Sequence, residues 1–314
     1  MTMLARIGIT APLLLISFLP FSATSREKIP APEIDKRASC NDTLRILLSN
    51  DDGFDQPGIT ALQQALNQAE HQVVVAAPAK NASGSSASIT FAPVAVAHVE
   101  TNTYAVSASP ATAVVLAINA FYPALSPPDL VISGINKGAN LGPATGISGT
   151  VGAATAAINL IDPPIAAIAI STDPLGPNFS DEDNTQHLQR ISAFITNLVD
   201  RLTRERCKNG LLLPQGLALN INYPPLPTAE IKGVVVREQG QAPYFKISYN
   251  PSKDEANIYL PVLNKQAVEN DIAPSDTLAY HQGYITIVPL DGHSTNKDAA
   301  TKNLIEFVIR ELKP

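Results

Sequence analysis

Leu44 to Leu48 is a short, almost wholly apolar run, the pattern of a strand buried on both faces, and it stops abruptly at Ser49-Asn50-Asp51-Asp52-Gly53. After Pro57-Gly58 the spacing turns helical, with Ile59, Leu62, Leu66 and Ala69 on one face. Val73 to Ala77 repeats the strand pattern and ends at Pro78. Ser109-Pro110 then opens a helix, a hydroxyl cap followed by proline at the first helical position, with Val114, Val115, Ile118 and Phe121 as its buried side. Asp129 to Ile132 and Ile165 to Ser171 read as further core strands, separated by an Ala-rich helix from Ser148-Gly149-Thr150 to about Ile161. Gln186 to Arg206 forms a helix with Leu188, Ile191, Phe194, Ile195, Leu198 and Leu202 inward, and Leu217 to Ile221 another strand. Apart from an ambiguous strand-rich section before Ser109, strand and helix alternate up to this point, which predicts an α/β, Rossmann-like three-layer domain with a mostly parallel sheet over residues 44–230.

From Pro224 the rhythm breaks. Residues 231–314 carry strand-like pieces at Val234–Arg237, Tyr244–Tyr249, Asn257–Leu260 and Tyr284–Val288, with no helix until Ala299–Leu312. Long hairpins projecting from a compact domain are marginal in water by themselves, so this extension and the final helix predict a homo-oligomer, a dimer or tetramer.

Composition narrows the class. Of 314 residues 45% are hydrophobic, mean hydropathy is +0.07 and net charge is −6, with no long run of one sign. A nucleic-acid groove is excluded on that balance, whereas small phosphorylated molecules are bound by local loops and remain open. Residues 1–25 have the form of a secretory signal: Arg6, then apolar Ile7 to Phe21, then Ser22-Ala23-Thr24-Ser25. That run is too short and proline-broken for a stable membrane span, so the chain is expected to be exported after cleavage, with residues 26–43 as a leader. Two cysteines, Cys40 and Cys207, then allow one intramolecular bridge, tying the start of the domain to a helix; two unpaired thiols are the alternative.

The candidate chemistry begins with Asp51 and Asp52, two adjacent carboxylates in the first strand-to-helix crevice, where open α/β sheets bind ligands. Their mutual repulsion near a low-dielectric sheet end calls for a cation or a shared proton; a divalent metal is the expected offset, a solvated turn the alternative. The loop 79–88 is nearly all small and polar, and its hydroxyls can face the two aspartates. Glycines between Gly134 and Gly149 let backbone approach a ligand, and the small-residue helix start at Ser148 is an anion site. The five histidines, His71, His98, His187, His281 and His293, lie outside these stretches and read as surface or structural.

Asn50-Asp51-Asp52-Gly53 with Pro57-Gly58-Ile59, Asn81-Ala82-Ser83-Gly84, Ser133-Gly134-Ile135-Asn136 with Asn140-Leu141-Gly142, and Ser148-Gly149-Thr150-Val151 occur in one order. This set resembles the SurE family of stationary-phase survival proteins, over roughly residues 44–290. The resemblance implies a Rossmann-like domain with a hairpin used in oligomer formation, and a metal-dependent nucleotidase or phosphatase acting on nucleoside monophosphates and other phosphomonoesters. It further implies Asp51, Asp52, Ser83 and Asn136 as ligands of one divalent ion, Mg²⁺ or Mn²⁺, and Asn50, Asn140, Ser148, Gly149 and Thr150 as substrate or phosphate contacts, with Asp51 and Asp52 catalytic. The alternatives are an exported phosphate- or nucleotide-binding protein without turnover and a broad acid phosphatase. One departure stands out, Ala108-Ser109-Pro110-Ala111-Thr112-Ala113 where the family reads Gly-Thr-Pro-Thr-Asp-Cys.

Overall fold

The structure, a computed structural model, describes residues 43–122, 126–266, 268–293 and 299–309. The expected signal segment, nearly all of the leader, and Cys40 fall outside them. Arg45–Ser49 is β1, buried from Ile46 onward, and Pro57–Gln68 is α1, started by Pro57 in its first turn. β2 is Gln72–Pro78, followed by an edge pair, β3 Val96–Glu100 and β4 Thr103–Val106. α2 is Pro110–Ala120, β5 Leu130–Lys137, α3 Gly149–Asn159, β6 Ala167–Thr172, α4 Asp181–Asn209 and β7 Ala218–Asn222.

The main sheet has the order β3-β4-β2-β1-β5-β6-β7-β11-β8, with β8 Val234–Val236 and β11 Ile285–Leu290. Its centre is parallel: Ile46 pairs with Val73 on one side and Leu130 on the other. The β3–β4 and β7–β11 pairs are antiparallel. Two buried clusters cover the faces. Ile46 and Leu48 pack with Ile59, Leu62 and Leu66 of α1 and Ile191, Ile195 and Val199 of α4. Leu47, one position out of phase, packs with Val114 and Ala117 of α2 and Val151 and Ala154 of α3. From β1 the chain runs first to β2 on one side and later to β5 on the other, so strand order reverses at the β1–β5 junction. At such a reversal the two strand ends open a crevice.

Four details differ from the sequence-level expectation. α4 begins at Asp181, five residues earlier than periodicity indicates, because Ser180 and Asp183 form a reciprocal capping box that reads in sequence as polar loop. β5 continues through Ser133-Gly134-Ile135-Asn136-Lys137 with an irregular register, where the glycine-rich pattern points to a loop. Gly134 sits at φ 136, and a side chain there would collide with the Ile170 carbonyl. Residues 231–289 do contain a helix, α5 Asp276–His281, too short to show a period and capped by Ser275. Of the expected strand pieces, β8 and β11 join the main sheet, and only β9 Phe245–Pro251 and β10 Tyr259–Lys265 leave it as an antiparallel hairpin. The last helix, α6, is Ala299–Ile309. Among the described residues no helix is long and apolar enough to cross a membrane.

At the opposite end of the sheet from the crevice, Asp129 accepts from the Arg45 side chain at 3.1 Å and from Arg206 of α4 at 3.3 Å. Burial alone would raise its carboxyl; the Arg45 hydrogen bonds and the charges of Arg45 and Arg206 outweigh that and hold it below the ordinary value of 3.8. A depressed carboxylate contributes stability that is present above its unfolded pKa and lost as pH falls through its folded one. Asp129→Asn is therefore expected to lower stability at neutral pH by about 1–2 kcal/mol, since the pair is partly exposed. It should also flatten the acid limb below the ordinary carboxylate range, as read by urea titrations from neutral pH down to about pH 3.

Candidate active site

Asp51 leaves β1 directly into the start of α3. Its Oδ2 accepts from the backbone amides of Gly149 at 3.1 Å and Thr150 at 3.2 Å, and its Oδ1 from the Thr150 hydroxyl at 2.6 Å. Ser148 caps the same helix by accepting from Val151 N at 3.1 Å. The first amides of α3, an anion site by sequence, thus hold the protein's own carboxylate. Gly149 is required here: a Cβ would lie 2.7 Å from Ser85 Oγ and 2.9 Å from Asp51 Oδ2.

Asp52 faces the β5 side and accepts from Lys137 N at 2.8 Å. Burial is the main reason its carboxyl is raised above the usual range, and the charge of Asp51 adds to it; the Lys137 amide and charge pull the other way. The buried Asn136 donates through Nδ2 to the Gly138 carbonyl at 2.6 Å, which leaves Oδ1 as an uncommitted acceptor. Asn50 closes the turn after β1, bonding both ways with Gly53.

The serine-rich loop is attached to this centre. Ala82 N donates to the Asp51 carbonyl at 2.7 Å, Ser86 Oγ to the Gly146 carbonyl at 2.8 Å, and Ser88 O accepts from Ser109 at the start of α2. A side chain at Gly152 would run into Ser86, so α3 and the loop are in backbone contact. Ser83 follows Ala82, exposed, with its amide turned back to Asn81 Oδ1 at 3.0 Å. Ser109 and Thr112, the departure from the family reading, serve this anchoring: Thr112 Oγ1 accepts from Thr90 N at 2.9 Å.

Asn140 stands across the crevice. Its Nδ2 donates to Ser171 Oγ at 2.9 Å, its amide to Asn222 Oδ1 at 2.7 Å, and its carbonyl accepts from Asn220 and Asn222. Asn220 and Asn222 escape a sequence reading that looks for apolar residues in a core strand, although two asparagines on one face of β7 are themselves the signal. Also missed are Asp173, which accepts from the Tyr280 hydroxyl at 3.2 Å and pairs with Lys265 of the hairpin base at 2.9 Å, and Tyr244, whose hydroxyl bonds the Ala139 carbonyl.

The donor set fits a hard divalent cation. Two carboxylates meet at one strand end, one of them held at a raised pKa by burial and its neighbour's charge, and the free amide oxygen of Asn136 belongs to the adjacent strand. Among the described residues no group of three His, Cys, Asp or Glu forms a metal cluster, so a cation here relies on neutral oxygen ligands besides the aspartates.

With this geometry in view, comparisons with known proteins agree with it. Residues 46–246 match the family model described as Survival protein SurE. The chain is 32% identical over 260 residues to a protein of Burkholderia lata named 5'-nucleotidase SurE 1, covering 82% of this chain and 94% of that one. It is 35% identical over 253 residues to the 5'-nucleotidase SurE of Syntrophobacter fumaroxidans, covering 79% and 93%. The crystal structure of the SurE protein from Aquifex aeolicus superposes with a TM-score of 0.64 at 31% identity, covering 84% of this chain and 99% of that one.

Thr150→Val removes the hydroxyl donor to Asp51 while keeping shape. It is expected to cost about 1.5–3 kcal/mol in urea unfolding, the range for a hydrogen bond to a charged group, and Thr150→Ser to recover most of it.

Proposed function

The chain belongs to the SurE family, and from that membership and the geometry above we propose that it is a phosphoric monoester hydrolase that removes phosphate from nucleoside monophosphates with the help of one divalent ion. The observation that carries this reading is the pair Asp51 and Asp52 at the β1–β5 crevice, one carboxylate fixed in direction by helix amides and the other held by a single backbone donor. Asp51, Asp52, Asn136 and Ser83 hold the ion, Mg²⁺ or Mn²⁺. When bound, the ion supplies Lewis-acid polarisation of the phosphoryl group and a nucleophilic water at neutral pH.

The chain's own residues do the rest. Asp51 is fixed by Gly149 and Thr150, so it presents a set direction at no cost in side-chain entropy. The α3 amides are committed to Asp51, so phosphate contacts fall to side chains: the Ser148 hydroxyl and the second Nδ2 hydrogen of Asn140. Asn50 acts through the turn that sets the aspartates. Donors already fixed in place stabilise developing charge without reorganising.

Hydrolysis extends to other phosphomonoesters, and the protein works outside the cytoplasm as a homo-oligomer. Export is supported by the amino-terminal pattern and by Cys207 being disulfide-bonded. Assembly is supported by the hairpin, whose Ile247, Tyr249, Tyr259, Leu260 and Leu263 are exposed.

Phosphate release from adenosine 5'-monophosphate, with and without EDTA, tests the activity: release abolished by chelation and restored by Mg²⁺ or Mn²⁺ is expected, and binding without release refutes it. Asp51→Asn and Asp52→Asn should each lose at least about a hundredfold in kcat while staying folded, as removal of a ligand charge to the ion requires. Ser83→Ala should lose less, because a neutral hydroxyl holds a divalent cation more weakly than a carboxylate. Thermal unfolding gives a readout independent of turnover. Saturating metal should stabilise the native protein by about 2.7 kcal/mol at one hundred times Kd, and do so far less in Asp52→Asn.

A further inference from the structure

Next to the aspartate pair lies a cavity of about 400 Å³, walled by Asp52, Asn136 and Lys137 on one side and by the first turns of α4, with Asn184, Thr185 and His187, on the other. This is ample for a small organic group. His187 is 1% exposed and also lines it. Its Nε2 lies 2.9 Å from Thr172 Oγ1, while its Nδ1 is buried and has no hydrogen-bond partner.

The tautomer follows from the neighbours. Thr172 Oγ1 has a single hydrogen and lies 2.8 Å from the Tyr223 carbonyl and 3.0 Å from that of Asp173. A carbonyl takes that hydrogen, so His187 Nε2 must be the donor to Thr172 Oγ1. Nδ1 then carries a bare lone pair. Burial pushes the ring down to about 4, with the nearby Arg190 charge adding to the effect, so it stays neutral and Nδ1 stays an acceptor at working pH. A buried acceptor with nothing to accept costs free energy until a donor fills it.

We propose that this cavity receives the alcohol portion of the phosphomonoester and that His187 Nδ1 accepts a hydrogen bond from an O–H or N–H on it, making His187 the residue that favours hydroxyl- and amine-bearing substrates such as nucleotides over apolar aryl phosphates. The proposal rests on the phosphomonoesterase reading. The ion that Asp52 and Asn136 would hold puts the phosphate end at the cavity wall, and the ester group extends from there toward α4.

The test is the ratio of kcat/KM for adenosine 5'-monophosphate to that for phenyl phosphate, whose ring carries no donor. His187→Leu should lower this ratio about tenfold, the worth of one buried hydrogen bond. Thr185→Trp, at an exposed helix position on the cavity wall, narrows the space without touching the core. It should raise KM for the nucleotide more than for phenyl phosphate, and it decides the matter if His187→Leu does not fold. Ratios within about twofold of wild type in the folded variants would overturn the cavity assignment and leave the hydrolase reading standing. Wild-type protein releasing phosphate from neither substrate would overturn the hydrolase reading, and this one with it.

Discussion

The three hydrogen bonds that Asp51 receives from Gly149 and Thr150 are the constraint on which the geometry of the crevice depends. They join the end of the central strand to the start of α3, and the Asp51 carbonyl in turn holds the serine-rich loop through Ala82. Because the acceptor is a full charge at a helix amino end, the attraction is stronger than between neutral groups and has a defined direction. Gly149 and Gly152 follow from it: strand end, loop and helix come so close that a Cβ at either position meets Asp51 or Ser86.

The same bonds separate the roles of two neighbouring acids. Asp51 accepts two amides and a hydroxyl from the start of α3, whereas Asp52 has one backbone donor and a carboxyl raised by burial and by Asp51. A pair that would simply repel becomes one tightly anchored and one lightly held carboxylate, the second lining the same cavity as Asn136. Two identical side chains reach different states because one faces a helix end and the other a strand.

The alternation of apolar runs and amphipathic helices made the sheet and its two layers legible up to β7 apart from the edge pair β3–β4, and the aspartate pair stood out because two like charges side by side at a strand end call for an offset. Less could be read where side chains work against type. Asn220 and Asn222 occupy core strand positions for the sake of Asn140's backbone, and the first turn of α4 is polar because Ser180 and Asp183 satisfy its amides. The 3.6-residue period cannot report a helix as short as α5, and no local pattern announces that β8 and β11 return to the main sheet after the hairpin, since that pairing is set by distant partners. The hairpin base also reaches the crevice through Lys265 to Asp173 and Tyr244 to the Ala139 carbonyl, contacts between residues far apart in the chain.

One helix runs the depth of the domain. α4 begins at the crevice, where Asn184 and His187 wall the cavity, and ends at the far edge, where Arg206 grips Asp129 and Cys207 is disulfide-bonded before Gly210 stops it. Cavity wall and reinforcement are therefore segregated at the two tips of a single helix. For protein engineering this offers a practical division of labour: the distal tip can be hardened with further ion pairs or repacked for heat tolerance without disturbing the turns that wall the cavity.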